Sequence, residues 1–431
     1  MNRKKIRIVT LGCSKNIVDS EKLLRQVQAN GFNIAHETDN SPGGTVIINT
    51  CGFINDAKEE SIDTIFRYIR AKESGLIDNL YVTGCLTERY RDALKKEIPE
   101  VDKYFGVNST KEILKELGIR YRDDLMNRRI ITGPGHYAYL KISEGCDRTC
   151  AFCIIPTIRG KYISRPIDDL VTEAGHLAES GVRELILIAQ DLSYYGIDLY
   201  KTQKLGQLVS ELLKIQSFDF IRLHYLYPAN FPAGLIPLIA ENPRICRYID
   251  IPIQHISDKM LGLMKRSHNR RETEAILNRL RRELPGAAIR TTLIAGHPGE
   301  SEDEFLELRD FIKTFRFDRL GVFAYSHEEG TAAYENFMDE IPETVKEERV
   351  SELMSIQQEI SSELNRSMAG KILKVIVDRG EGDYFIGRTE FDSPEVDQEV
   401  LIHADNNISI GNFCNVEITG SSDFDLFGRL V

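Results

Sequence analysis

Short apolar runs and amphipathic stretches alternate along this chain, and their order predicts its architecture. In residues 1–120, Lys5 to Gly12, Thr45 to Thr50 and Leu80 to Gly84 have the length and β-branched content of strands. Apolar residues recur every three or four positions from Val18 to Ala29 and from Ala57 to Lys72, which predicts helices, with Asp56 a candidate N-cap of the second. Right-handed crossovers make such strands parallel, so an open parallel α/β sheet is expected here. Residues 121–136, ending in Gly133-Pro134-Gly135, read as a linker. Over residues 137–369 the alternation lengthens. Strands are expected at Tyr137 to Ser143, Glu184 to Ala189, Phe220 to Leu226, Arg247 to Ile253, Ala287 to Ala295 and Arg319 to Tyr325. Helices are expected at Asp168 to Glu179, Lys204 to Lys214, Phe231 to Ala240, Glu272 to Glu283 and Glu302 to Phe315, with Glu343 to Met368 closing the region. Six βα units are too few for a closed eight-unit barrel, which predicts an open (β/α)6 partial TIM barrel with its active groups at the strand carboxyl ends. Residues 370–431 hold only short β runs, Ile372 to Val377, Tyr384 to Thr389, Val400 to His403, Cys414 to Ile418 and Phe424 to Val431, the pattern of a small β-barrel.

A length of 431 residues suits this division into several domains. No apolar run approaches the roughly 18 residues of a membrane span. The start, Met1 to Val9, passes from a basic tip into a strand without the apolar core of a signal peptide, so a cytoplasmic protein is expected. The net charge of -11 argues against wholesale nucleic-acid binding.

The eight cysteines change the picture most, because in a reducing compartment thiols serve as metal or redox ligands. Cys146, Cys150 and Cys153 form a C-x3-C-x2-C loop directly after the strand at Tyr137. Thiolate suits iron-sulfur clusters, and with the next cysteine as far away as Cys246, one iron of a cluster here would stay open. A zinc knuckle on Cys150 and Cys153 is the alternative, but it needs a second ligand pair that the sequence does not supply. Cys13, Cys51 and Cys85 each follow one of the first three strands. Singly, each reads as a small apolar residue at a strand end. Together they occupy one topological position, the carboxyl edge where open α/β sheets build their sites, which predicts a second three-thiolate cluster. Cys246 reads as a buried thiol. Other polar residues at strand ends are Gln190, Asp191, Gln254, His255 and the run Gly296-His297-Pro298-Gly299-Glu300, with Arg222 inside a strand. Each is equally readable as a hydrogen bonder that orders a loop.

At its cysteine spacing the loop resembles that of the radical S-adenosylmethionine (radical SAM) enzymes, and the last β runs resemble a barrel of the TRAM type, a module associated with RNA binding. The sequence of domains resembles the methylthiotransferases over essentially the whole chain. Asn49-Thr50-Cys51-Gly52-Phe53-Ile54, Ala57-Lys58-Glu59-Glu60-Ser61-Ile62, Glu144-Gly145-Cys146-Asp147, Cys153-Ile154-Ile155-Pro156 and Arg159-Gly160 look most like the RimO-type branch. The resemblance implies two 4Fe-4S clusters, one held by the catalytic Cys146, Cys150 and Cys153 and one by Cys13, Cys51 and Cys85. It also implies SAM as both radical source and methyl donor, with Gln190, Asp191, Arg222, Gln254 and Gly296 as candidate SAM contacts. The implied reaction adds a methylthio group to the β-carbon of an aspartate in ribosomal protein S-twelve. Implied partners are that protein or the small ribosomal subunit, a flavodoxin-like or similar electron donor and a sulfur donor, with no membrane and no stable nucleic-acid partner. A tRNA adenosine methylthiotransferase would use the same ligands, an iron-sulfur electron carrier would need no SAM pocket, and an RNA-binding module would leave the cysteines unexplained. The last 62 residues carry five basic and twelve acidic side chains, an odd balance for RNA and a favourable one for a basic protein.

Overall fold

The computed structural model describes residues 5–35, 42–403 and 408–431; the basic tip Met1 to Lys4 and Asp405, one of the twelve acidic residues, lie outside them. The chain divides into two compact units. One comprises Met1–Gly133, Tyr139–Arg148 and Ile154–His176, the other Pro134–Ala138, Thr149–Cys153 and Leu177–Val431.

The first unit is built on a five-stranded parallel sheet in the order Asn33–Ala35, Lys5–Thr10, Thr45–Thr50, Asn79–Gly84, Lys103–Tyr104. Its central strands are covered on both faces. Val46, Ile48, Leu80 and Val82 pack against Ile65, Tyr68 and Ile69 of the helix Asn55–Glu73. Ile6, Ile8, Ile47 and Tyr81 pack against Leu23, Leu24 and Val27 of the helix Ser14–Ala29. Strand alternation sends neighbouring residues to opposite faces, so a run as apolar as Val46-Ile47-Ile48 feeds two cores.

Three details depart from the expectations. The first helix starts at Ser14 rather than Val18, because Asn16 anchors its opening turn: the Asn16 amide donates to Leu11 O at 2.8 Å and Thr50 O at 3.2 Å. The N-cap of the next helix is Ile54, and Asp56 lies inside the first turn, where its charge complements the helix dipole. The edge strands Asn33–Ala35 and Lys103–Tyr104 were too short to read from pattern.

In the second unit the expected barrel strands are present and shorter: Glu184–Ile188 pairs in parallel with Phe220–Leu223, and Tyr248–Asp250, Ala288–Ala295 and Arg319–Ala324 pair in parallel in that order. Between the two groups the ladder thins to an isolated bridge, Ile221 to Ile245, and the bond from Leu226 N to Asp250 O at 2.8 Å. The chain then closes a five-stranded barrel in the order Ile372–Glu381, Tyr384–Arg388, Val400–His403, Leu426–Leu430, Phe413–Ser421, around Val375, Val400, Ile402, Val416, Ile418 and Leu426.

This barrel sits against the amino ends of the parallel strands. Ile376 packs with Phe220, Tyr248, Ala288 and the buried Cys246, whose thiol burial pushes up to about 12. Arg388 pairs with Glu184 at 2.7 Å, Arg319 with Asp392 at 2.6 Å and Tyr248 with Asp397 at 2.7 Å. Several acidic residues of the barrel therefore neutralise buried arginines, and its free negative surface is smaller than the residue count implies.

Candidate functional site

In the first unit, topology brings Cys13, Cys51 and Cys85 to one edge of the sheet. Cys13 is the N-cap of Ser14–Ala29, Cys51 follows Thr45–Thr50, and Cys85 opens the helix Cys85–Glu97 directly after Asn79–Gly84. Cys51 and Cys85 are buried and Cys13 is exposed. The approach is close enough to require glycine: at Gly12, with φ of +85°, an added Cβ would stand 2.6 Å from Cys51 Cβ and 2.9 Å from its Sγ. Burial raises the Cys85 thiol to about 11, with negative charge on Cys13 and Cys51 adding to the rise and the Arg159 guanidinium opposing it. Burial also raises Cys51. Arg159 Nη2 lies 3.5 Å from Cys85 Sγ, the rest of its guanidinium being held by Asn16, Asp19 and Glu144.

The second set of thiols lies on a single loop. Gly145, with φ of +72°, lets Cys146 N donate to Gly160 O at 3.1 Å, and a Cβ there would strike Lys161 O at 2.1 Å. Arg148 N points at Cys146 Sγ at 3.4 Å, the backbone N–H to sulfur contact that tunes iron-sulfur ligands. Further along, Ala151 is clamped in the second unit by Met264 O at 2.9 Å and Ala333 N at 2.7 Å. Arg266 Nη1 reaches Cys150 Sγ at 3.3 Å while its carbon centre lies 4.2 Å from the Tyr227 ring centroid.

Among the described residues no three Cys, His, Asp or Glu side chains are gathered as tightly as the ligands of one ion. Thiolates around a cubane stand further apart than that, and thiol chemistry with an arginine or backbone donor on sulfur fits such a cluster at both places.

The sequence patterns of known proteins agree with this layout. The description "Uncharacterized protein family UPF0004" matches residues 5–106, "Radical SAM superfamily" residues 140–312 and "TRAM domain" residues 369–431. The protein named ribosomal protein uS12 methylthiotransferase RimO from Phocaeicola vulgatus is 52% identical over 432 residues, covering 100% of both chains. Its namesake from Cytophaga hutchinsonii is 53% identical over 430 residues, covering 100% of this chain and 98% of its own. The chain belongs to the RimO family. Its fold is also that of the radical SAM methyltransferase TsrM from Kitasatospora setae, with a TM-score of 0.53, 16% identity and 75% of each chain covered.

Within this RimO-family chain the remaining candidates separate clearly. Arg222 faces the small barrel: its Nε meets Glu184 Oε1 at 2.7 Å, Nη1 meets Glu390 O at 2.8 Å and Nη2 meets Thr389 O at 3.2 Å. The Asp191 carboxylate accepts from Ser193 N at 2.8 Å and caps a turn, and Gln190 beside it is half-buried.

Gln254, His255, His297 and Glu300 hold something else in common. Gln254 Oε1, His255 Nε2, His297 Nε2 and Glu300 Oε2 are all buried without a hydrogen-bond partner. They follow the strands Tyr248–Asp250 and Ala288–Ala295 at the carboxyl ends. His255 Nδ1 accepts from Ser257 N at 3.0 Å, so the neutral ring carries its proton on Nε2, 3.5 Å from Glu300 Oε2. His297 Nδ1 donates to Pro298 O at 3.0 Å, which leaves a lone pair on Nε2, and burial lowers its pKa. Gly296 N donates to Glu300 Oε1 at 3.0 Å, and Arg349 holds the same oxygen at 2.7 Å. Gln254 has φ of +70°, a conformation that costs an ordinary residue roughly 1–3 kcal/mol and collects at functional sites.

Buried polar atoms left unmatched cost stability unless a ligand meets them. Sequence reasoning named Gln254 and both histidines individually but gave Arg266 no part. Arg266 follows a helix with no spacing to mark it, and only the fold brings it to a cysteine.

Proposed function

We infer that this chain is a radical SAM methylthiotransferase that adds a methylthio group to the β-carbon of an aspartate in ribosomal protein uS12. The observation that carries the reading is its RimO-like sequence over the full chain together with two three-cysteine sets at strand carboxyl ends. Cys146, Cys150 and Cys153 would hold one 4Fe-4S cluster, and Cys13, Cys51 and Cys85 a second. When bound, these groups and SAM supply one-electron cleavage of SAM to a deoxyadenosyl radical and a sulfur that SAM methylates for transfer.

The protein's own groups do the binding. His297 Nε2 and Gln254 Oε1 offer two acceptors, while His255 Nε2 and Glu300 Oε2 face each other at 3.5 Å. Acceptors of this kind answer the amino and hydroxyl groups of SAM. His255, His297 and Glu300 are buried, and burial favours the neutral form of His297. The C–H bond attacked is beyond the reach of these bases at neutral pH, which is why the ligands of a radical source are needed at all.

A flavodoxin-like electron donor and a separate sulfur donor complete the reaction in the cytoplasm. Among the described residues no helix is long and apolar enough to cross a membrane.

The test is anaerobic reconstitution with SAM, sulfide and reductant, offering a uS12 loop peptide, intact uS12 and unmodified tRNA in separate tubes. Mass spectrometry should find a gain of about 46 Da, SCH3 replacing H, on the peptide or protein. A gain confined to tRNA would transfer the chemistry to the other branch of the methylthiotransferases.

A further inference from the structure

We propose that Arg159 is a positioning residue for the site on Cys13, Cys51 and Cys85, holding a positive charge against the sulfur of Cys85 and so raising the reduction potential of the cluster there. The inference rests on the reading that this site carries an iron-sulfur cluster. Arg159 lies in the short helix Ile155–Arg159, its side chain 2% exposed. Nη1 meets Asp19 Oδ2 at 3.1 Å and Glu144 Oε1 at 2.9 Å; Nη2 meets Asn16 Oδ1 at 2.5 Å and Cys85 Sγ at 3.5 Å.

A purely structural arginine would be explained by its carboxylates alone. Here both carboxylates are also paired with Lys141, at 2.6 Å for Glu144, so two cations already balance two anions without the sulfur. The remaining Nη2 edge faces Cys85 and Asn16. Asn16 is the residue that ties together Leu11 O and Thr50 O, the backbone just ahead of Cys13 and Cys51. One asparagine therefore holds both the turns that present two thiols and the arginine that faces the third. A cation braced by Asp19, Glu144 and Asn16 cannot swing away when the charge on the sulfur changes. In a buried site its field is little screened, and it favours the form of the cluster with the extra electron.

The experiment uses the full chain carrying Cys146→Ala, Cys150→Ala and Cys153→Ala, reconstituted anaerobically, so that iron content and the electron paramagnetic resonance signal report this site alone. Arg159→Gln should retain the parent's iron, shift the midpoint potential to more negative values and alter the spectrum of the reduced state. Arg159→Lys should fall between the two, and Arg165→Gln, which removes a cation from Glu173 in the same unit, should leave the potential where it was. An Arg159→Gln protein with the parent's potential and line shape overturns the proposal. If Arg159→Gln loses iron, Arg159→Lys decides: iron and potential restored by lysine support the role of the charge, and a lysine variant equally empty overturns it. A triple-alanine parent that binds no iron overturns the cluster reading itself, and the assignment of Arg159 with it.

Discussion

The two cysteine sets are assembled by opposite routes. Cys146, Cys150 and Cys153 lie within eight consecutive residues, Cys146 following Gly145 in the first unit and Cys150 and Cys153 belonging to the second. Cys13, Cys51 and Cys85 come from three successive crossovers, and they meet only because Lys5–Thr10, Thr45–Thr50 and Asn79–Gly84 pair in parallel and in register. The loop set is legible as a motif. The sheet set is only as well placed as its whole unit, and two of its three thiols are buried. Each set nonetheless has an arginine on one sulfur, Arg159 on Cys85 and Arg266 on Cys150.

The sharpest way to break this comparison is to remove one thiol from each set. Cys150→Ala should reduce SAM cleavage to background, measured as deoxyadenosine formed under reductant, and abolish methylthio transfer with it. Cys51→Ala should abolish transfer while deoxyadenosine still forms. Equal loss of deoxyadenosine in both would show that the sets do not divide the work.

A smaller effect is expected from a residue outside both cysteine sets. Glu173 is held among Lys22 at 3.3 Å, Arg129 at 3.1 Å and Arg165 at 2.8 Å. Burial pushes its carboxyl up, but these cations outweigh burial and hold it down at about 2, against 4.5 for a free glutamate. A carboxylate depressed in the folded state contributes stability that is complete above the unfolded value and is lost as pH falls toward the folded one. Stability should therefore decline from about pH 4.5 to about pH 2 in the parent. Glu173→Gln should cost about 3–5 kcal/mol near neutrality, as for a buried pair that loses one partner, with a flatter dependence across that window. Urea unfolding against pH measures both, and iron should leave the sheet set in step with the loss of stability.

The smallest effect belongs to Arg266. Cys150 is half-buried, so solvent screens the Arg266 contact more than it would in the interior. Arg266→Gln should weaken iron retention at the loop set by about tenfold, the low end for groups that support a metal ligand. Titration with a chelator would show it, and an effect as large as that of losing Cys150 would mean that the arginine is more than a support.

Hydrophobic rhythm revealed the central strands, most helices and the small barrel, because each of those elements buries a regular face. It did not reveal what polar residues build. The opening turn at Ser14 depends on Asn16, whose amide bonds have no periodic signature. Arg222 was singled out for its place in a strand, yet strand position does not tell which end of the barrel a long side chain seeks, and Glu184 with the barrel carbonyls draws it to the amino ends. The acidic count of the last domain was correct as arithmetic and overstated as surface, since Asp378, Asp392 and Asp397 are paired with Arg388, Arg319 and Arg290. His255 and Glu300 belong to two separate loops, and only tertiary structure brings Nε2 of the one within 3.5 Å of Oε2 of the other.

The docking of the small barrel on the amino ends of the strands bears on how such proteins can be recombined. Glu184 lies between Arg222 and Arg388, so one carboxylate serves two arginines from two domains. A terminal module grafted from a relative to redirect the enzyme would arrive without Arg388 matched to this Glu184, and would leave Phe220 and Tyr248 facing a strange floor. Exchange at this junction is therefore a transplant of both sides of a seam. A chimera that carries Glu184, Arg222 and their apolar neighbours along with the barrel should fold where a cut at residue 370 does not.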